Sequence, residues 1–342
     1  MDKKKYLDLI NLALKEMDNG YYSESLQKLE KIVQSKFFNI LNQKDKLFIR
    51  KRLSGIQLSF GYYYEGWINR RYNWIKNIKK FDVINQQNES LKYLINIEQI
   101  GRNEKLLIWN DGGYGDFIYQ LRLLKYIKKN IPYKIYTSKM NHLLKDKNII
   151  TANAKDFHWH LPLNEIPRIL NYDPSHHYEF KYNYLVEPSA KFQKYKSYVA
   201  VTYKTETSVD KSIPYHLLEN LFIERKEIKF LILQNSLDDK EKSFFSTFRN
   251  VSYLSDLDKN FIFEDTFSII NSVKFVISID TAITHIAGYF GKKNFLLLRH
   301  PSSFYWGYKN SKSSDYYNHI IIRQKKTNDW ESALKNLLEL IK

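Results

Sequence analysis

Leu7, Ile10, Leu14 and Met17 recur at spacings of three and four, which places them on one face of a helix. Asn19-Gly20 breaks the pattern, and Leu26, Leu29, Ile32 and Val33 then make a second apolar face, so the chain opens on a helical hairpin. The turn repeats. Residues 20–26 read Gly-Tyr-Tyr-Ser-Glu-Ser-Leu and residues 61–67 read Gly-Tyr-Tyr-Tyr-Glu-Gly-Trp, with the two glycines 41 positions apart. The first ~80 residues therefore read as helical. The polar stretch 77–103, centred on Asn85-Gln86-Gln87-Asn88, reads as a connector.

The pattern then changes to apolar runs alternating with amphipathic ones. Strands are expected at 105–109, 133–137, 156–161 and 182–186. Helices are expected from about Asp116 to Lys129, at 139–145 and at 163–170. A second series begins near Ser197, with strands at 198–203, 228–234, 251–254, 275–279, 294–298 and 319–323. Its helices are expected after Pro214, at 264–272, at 281–290 and at 329–341, the last with Trp330, Leu334, Leu337, Leu338 and Ile341 on one face. Alternation of this kind implies parallel sheets, and two such series imply two Rossmann-like lobes. The expected division is a helical segment at 1–80, a first lobe at 81–195 and a second at 196–342. A tetratricopeptide unit is ~34 residues long, so one unit plus a short insertion fits the repeated turn. Gly20, Tyr22, Ser25 and Leu29 resemble that repeat's turn and second helix. A partner-binding repeat and a generic helical cap both fit this segment.

Composition narrows the classes. With 342 residues and 43% hydrophobic positions, the chain has material for two cores and an appendage. Its net charge is +17, but the lysines are scattered, so a general basic surface outweighs a dedicated nucleic-acid face. Possible contact with anionic surfaces follows from the same charge. The absence of cysteine excludes disulfides and thiolate chemistry. No apolar stretch approaches the ~20 residues of a membrane span, and the start has no signal-peptide core, so a cytoplasmic location is expected.

Three turns carry candidate chemistry. Asn110-Asp111-Gly112-Gly113-Tyr114-Gly115-Asp116 follows a strand and opens a helix, where glycines permit close ligand approach and free N–H groups favour anions. Asp116 could equally be the helix N-cap. Ser278-Ile279-Asp280-Thr281-Ala282-Ile283-Thr284-His285 is a second strand-to-helix turn. Its hydroxyl, N–H groups and helix dipole suit a diphosphate, whereas simple capping with a half-buried His285 is the alternative. The loop 202–214 carries Lys204, Thr205, Thr207, Ser208 and Lys211 at a strand's carboxyl end, where open α/β sheets bind ligands; a solvated polar loop is the alternative. His158-Trp159-His160 has strand spacing for a metal pair but no third ligand, so structural histidines are expected.

These turns, in this order, resemble glycosyltransferases related to the heptosyltransferase family (family 9), of GT-B fold, linked here to a tetratricopeptide-like segment. The family reads roughly Glu-Gln-Gly-Leu-Gly-Asp at its first turn, against Asp111-Gly112-Gly113-Tyr114-Gly115-Asp116, followed by a matching Arg122. Lys211-Ser212-Ile213-Pro214 matches the end of its phosphate loop. The run 277–288, then Gly291-Lys292, is the strongest match, and Arg323-Gln324, Asp329-Trp330 and Gly61 to Trp74 also look similar. The resemblance covers about residues 55–342. It implies a fold of two Rossmann-like lobes facing a cleft and an inverting, metal-independent transfer of a hexosyl or heptosyl group from a nucleotide-sugar, with no other cofactor. It implies Asp116 as general base for a glycan or protein acceptor. Lys211, Thr281 and His285 would contact the donor diphosphate and Asp280 its ribose or sugar, with Thr207 and Ala282 also on the donor side. Asp111, Gly113, Gly115 and Arg122 would line the acceptor side.

The chain departs from the pattern at Asp111-Gly112 and again near its end. There the family's Asp-Trp-Arg-Trp is Ser303-Phe304-Tyr305-Trp306, without the acid and the arginine. The rival reading is a catalytically degenerate scaffold that binds a protein partner through its helical repeats.

Overall fold

The computed structural model describes residues 3–71, 91–127, 131–137, 140–145, 149–150, 156–176, 184–205, 209–234, 236–254 and 263–341. Thr207, Ser208, Lys128-Lys129 and the 85–88 connector lie outside the described residues. The chain forms two compact units. One is Met1–His177 with Ser303–Lys309, and the other is Tyr178–Ser302 with Asn310–Lys342. Residues 178–195, which the pattern joins to the first α/β series, cluster with the second unit.

The first unit begins with five helices: α1 (Lys3–Asp18), α2 (Tyr22–Gln34), α3 (Lys36–Ile40), α4 (Gln43–Ser59) and α5 (Tyr63–Arg70). Both repeated turns use the same backbone. Gly20 and Gly61 sit in the left-handed region at φ 82° and 85°, where a side chain would be strained. Tyr21 and Tyr62 follow with φ −79° and ψ 65° and 70°. The helix crossings also correspond. Ser25 Oγ donates to the Ala13 carbonyl at 2.7 Å, and Ser54 Oγ donates to the Gly66 carbonyl at 2.8 Å. Ala13 and Ser54, like Ser25 and Gly66, are 41 positions apart, so the repeat is one of backbone and packing as well as sequence. At Gly66 a Cβ would come within 2.7 Å of Leu58, which keeps that crossing glycine-only. The insertion between the hairpins is α3, started by Ser35 Oγ accepting from Phe37 N–H at 3.3 Å. Tyr6, Leu29, Ile32, Phe38, Ile49, Leu53 and Ile56 form the core of the segment.

The rest of this unit is a parallel sheet of β1 (Lys92–Tyr93), β2 (Leu106–Trp109), β3 (Tyr133–Tyr136), β4 (Ile149–Ile150) and β5 (Trp159–Pro162) in the order β1-β5-β2-β3-β4. All four residues of β2 are at most 1% exposed, as a central parallel strand requires. Each such side chain contributes roughly 1.5–3 kcal/mol of burial. The helix after it, α6 (Tyr114–Leu121), is shorter than the sequence pattern predicts and is followed by one 3₁₀ turn at Leu124–Tyr126. Arg122 ends it, turning its Nε back onto the Tyr119 carbonyl at 2.9 Å. The short helix α7 (Ile166–Ile169) follows β5. Trp67 on α5 donates its Nε1–H to the Tyr172 carbonyl at 2.8 Å, fastening the helical segment to the sheet part.

The second unit has β6 (Tyr198–Val201), β7 (Lys229–Ile232), β8 (Val251–Tyr253), β9 (Phe275–Ile279), β10 (Asn294–Leu298) and β11 (His319–Arg323), parallel throughout, in the order β11-β10-β9-β6-β7-β8. Between them run α8 (Glu219–Glu224), α9 (Asp239–Ser246), α10 (Phe263–Ser272) and α11 (Ala282–Tyr289), and α12 (Trp330–Leu340) closes the chain. The mixed α/β class with parallel sheets agrees with the sequence pattern. In each sheet the strand order reverses once: between β2 and β5 in the first, between β6 and β9 in the second. At such a reversal the loops leave in opposite directions and open a crevice at the strands' carboxyl ends.

Candidate functional site

In the first unit the crevice lies between the turn after β2 and the segment after β5. Asn110 closes the turn, donating from Nδ2 to the Gly112 carbonyl at 3.3 Å while its Oδ1 accepts from Gly112 N–H at 3.2 Å. Asp111 reaches across, its Oδ1 accepting from Asn164 N–H at 3.1 Å. Loss of solvent pushes the Asp111 carboxyl up to about 6, against the lowering effect of the Asn164 hydrogen bonds.

Asp116 is not the N-cap. That position belongs to Gly113, and Asp116 stands at the third helical position, its Oδ2 accepting from Gly113 N–H at 3.4 Å. None of the glycines here needs a left-handed backbone. Gly112 is required for approach instead, since a Cβ there would meet the Asp116 side chain at 2.6 Å. At Gly113 a Cβ would meet nothing within 4 Å, so this flank of the turn is open. Gly115 is the second residue of α6. Arg122 is buried, with its guanidinium 4.1 Å from the Tyr119 ring centroid and 5.2 Å from that of Tyr172.

A second group meets Asp116 that the sequence pattern does not reveal. Tyr305, in the 303–309 segment, donates its hydroxyl to Asp116 Oδ1 at 2.7 Å. The two residues are 189 positions apart, so no local spacing signals the contact.

In the second unit the reversal between β6 and β9 gathers the other candidates. The loop after β6 is pinned by Ile213 N–H to the Tyr203 carbonyl at 2.7 Å and by Thr205 N–H to Ser212 Oγ at 3.0 Å. Ile213 is sunk in the core, so Lys211 is held close to the sheet. Its Nζ lies 2.9 Å from Asp280 Oδ2 and 3.4 Å from the Asp280 carbonyl, spanning the reversal. Below, Ser278 Oγ, Thr284 Oγ1 and Asn294 Oδ1 form a buried network at 2.7 and 3.0 Å that fixes the strand-to-helix turn.

Thr281 occupies the N-cap position of α11, yet its side chain caps nothing. Its Oγ1 is buried and has no hydrogen-bond partner among the described residues. A buried unpaired hydroxyl costs about 1–3 kcal/mol, so capping does not account for it. Ala282 is the first residue of α11 and adds a free-end N–H. His285 is buried, its Nδ1 3.0 Å from the Tyr316 hydroxyl. The Tyr316 ring lies against Gly288, where a Cβ would come within 2.3 Å of it.

Arg299 was not signalled by the sequence. It is the first residue after β10, next to β9 in the sheet, and it pairs with Asp210, the neighbour of Lys211. Its Nε is buried without a partner among the described residues. Arg299–Asp210 and Lys211–Asp280 thus set two ion pairs along the carboxyl ends of β10, β9 and β6.

The two histidines of the 158–160 run have separate structural tasks. His158 Nδ1 accepts from Lys105 N–H at 3.2 Å, and His160 Nδ1 accepts from Trp109 Nε1–H at 3.2 Å. Among the described residues no group of three His, Asp or Glu side chains could hold a metal. Among them, too, no helix is long and apolar enough to cross a membrane. A cavity of about 460 Å³ lies in the helical segment, bordered by Gln27, Glu30, Gln57, Phe60, Tyr62 and Glu65 and by none of the candidate residues above.

No protein-family model matches this chain, and no curated protein matches it. Solved structures do. It is similar to the E. coli heptosyltransferase WaaC with ADP at 12% identity and a TM-score of 0.46, over 69% of this chain and 97% of that one. A family 9 glycosyltransferase from Veillonella parvula matches at 9% identity and a TM-score of 0.46, over 69% and 92%. The E. coli ADP-heptose lipopolysaccharide heptosyltransferase II matches at 9% identity and a TM-score of 0.44, over 69% and 99%.

Proposed function

We propose that this chain is a glycosyltransferase of the GT-B type that moves a sugar from a nucleotide-sugar to a hydroxyl of a glycan or protein acceptor. The observation that carries this reading is the buried, unpartnered Thr281 hydroxyl at the N-terminus of α11, beside the Lys211–Asp280 pair at a strand-order reversal. A diphosphate would satisfy the hydroxyl, take the N–H groups of the first turn and draw on the Lys211 charge. Asp280, released from Lys211, is then placed for a ribose or sugar hydroxyl, and His285 lies one turn in, behind Thr281.

Asp116 is the base in this reading. The acceptor hydroxyl gives its proton to the Asp116 carboxylate as its oxygen bonds to the anomeric carbon. The bond from that carbon to the diphosphate breaks, and the leaving nucleotide keeps the electron pair. One displacement of this kind inverts the anomeric configuration. The phosphate charge is met by Lys211 and the helix end, which is the support for a reaction without a metal. In this reading residues 81–195 serve the acceptor and 196–342 the donor, in a cytoplasm where nucleotide-sugars are made. The tetratricopeptide-like helices would present the acceptor, and the cavity at Gln27, Glu30 and Tyr62 is the place for it. The same cavity also favours the second reading, an adaptor that binds a partner there without catalysis.

Calorimetry with ADP-, GDP-, UDP- and CMP-sugars tests the donor site. One of the four should bind, and Lys211→Ala and Thr281→Ala should each weaken that binding, Lys211→Ala by the ~1.5–3 kcal/mol of a charged hydrogen bond. Unchanged affinity in both variants would remove the assignment. Absence of binding by any of the four leaves the adaptor reading in its place.

A further inference from the structure

Residues 303–309 lie in sequence between β10 and β11 of the second unit, yet they belong to the first. Three aromatic side chains hold them there. Phe304 packs edge-on to Trp67 with ring centroids 6.0 Å apart, and the Arg70 guanidinium lies 4.3 Å from the centroid of the Phe304 ring. Tyr308 packs against Tyr22 at 5.2 Å and Phe60 at 4.7 Å, with its hydroxyl 3.5 Å from the Gly20 carbonyl. Both repeated hairpin turns therefore grip this segment, on either side of Tyr305. Gly307 makes the reversal between them at φ 66°, a conformation that favours glycine. Tyr305 itself lies on the Tyr119 ring at 4.6 Å and donates to Asp116 Oδ1 at 2.7 Å.

We infer that Tyr305 is a positioning residue for Asp116 and that the helical hairpins, through Phe304 and Tyr308, hold it in place. The inference rests on the reading of Asp116 as the base and gives the helical segment a part in the reaction. A base must present one oxygen to the acceptor in a fixed direction. Among the described residues Asp116 Oδ2 has only the long contact to Gly113 N–H, at 3.4 Å, and that contact alone leaves the carboxylate loosely set. The hydrogen bond from Tyr305 fixes it. A carboxylate oxygen has two lone pairs, so Oδ1 can hold Tyr305 and still accept from an acceptor hydroxyl. The departure at 303–306 then makes chemical sense. Where the family pattern has an arginine, this chain places a phenol that supplies the donor to its own base.

The test is steady-state cleavage of ADP-, GDP-, UDP- and CMP-sugars with water as acceptor, read as nucleotide release from the full-length chain. Tyr305→Phe keeps the ring on Tyr119 and removes only the donor. It should lower kcat about 10- to 100-fold with KM for the nucleotide-sugar and melting temperature nearly unchanged. In an Asp116→Asn background the same change should have little further effect. Tyr308→Ala should lower kcat in the wild type and not in Tyr305→Phe. Full kcat in Tyr305→Phe, or equal losses with and without Asp116, overturns the inference while leaving the glycosyltransferase reading intact. A wild type that cleaves none of the four overturns both.

Discussion

Asp111→Asn isolates the electrostatics of the first turn. The Asp111 carboxyl rises from an ordinary value near 3.8 to about 6 on folding, chiefly because the turn shields it from water. A raised carboxyl favours folding in its protonated form. Its contribution is therefore complete below about pH 4 and is lost as pH rises through 6. The whole shift corresponds to about 3 kcal/mol, of which roughly 2 kcal/mol falls between pH 4.5 and 7.5. Asparagine keeps an oxygen for the Asn164 N–H and carries no charge, so it escapes the penalty. Asp111→Asn should therefore gain on the wild type as pH rises, by roughly 4–8 °C in melting temperature between pH 4.5 and 7.5 for a unit of this size. Thermal unfolding of both proteins over this range gives the difference directly, because every other titrating group, buried His319 included, is common to both. A flat difference, or a wild type that gains on the variant with rising pH, would refute the reasoning. A carboxyl titrating near 6 is also a competent proton acceptor near neutrality, so the same variant asks whether Asp111 shares the work of Asp116.

Asp116→Asn should lower turnover by ~10²–10⁴-fold with donor affinity and melting nearly unchanged, and near-wild-type turnover would remove Asp116 as the base. Asp116→Ala measured alongside separates this from a loss of stability without loss of activity per folded molecule, which a purely structural carboxylate would give. Arg299→Gln should weaken nucleotide-sugar binding about 10-fold or more, while Asp210→Asn, which frees Arg299, should preserve or strengthen it; calorimetry showing equal losses in both would mean that the pair only braces the loop. A chain beginning at residue 77 should keep nucleotide-sugar binding but lose transfer to its natural acceptor, measured by radiolabelled sugar incorporation; full transfer by a folded shortened chain would refute a role for the helices.

What the sequence makes legible follows from how each feature is encoded. The strands β9, β10 and β11 coincide with the apolar runs at 275–279, 294–298 and 319–323, because strands covered on both faces carry unbroken hydrophobic sequence. The apolar pattern extends the first helix after β2 too far, because Leu123, Leu124 and Ile127 continue a helical spacing while the chain has already turned at Arg122. The two-residue β1 sits in a polar stretch with no alternation to mark it, and the charged start of α9, Asp239-Lys240-Glu241-Lys242, carries no apolar pattern that predicts a helix. In the candidate site, Lys211 and Asp280 were legible as strand-end residues, but their pairing depends on β6 and β9 being neighbours. Arg299 follows a strand like many surface arginines, and only the sheet order puts it beside the others. Tyr305 lies beyond any local rule, since its partner belongs to a different part of the chain.

The excursion at 303–309 has a consequence for anyone who would take this protein apart. A gene fragment ending near residue 177 would carry Asp116 and both hairpins but leave behind the seven residues that Tyr22, Phe60 and Trp67 enclose. Its counterpart would carry those residues as an unsupported loop bearing four aromatic rings. No single cut yields two intact pieces. Splitting the protein for co-expression, or exchanging one half with a relative, calls for a graft at two separate places in the chain, or for supplying the seven residues to the N-terminal piece on a tether of their own.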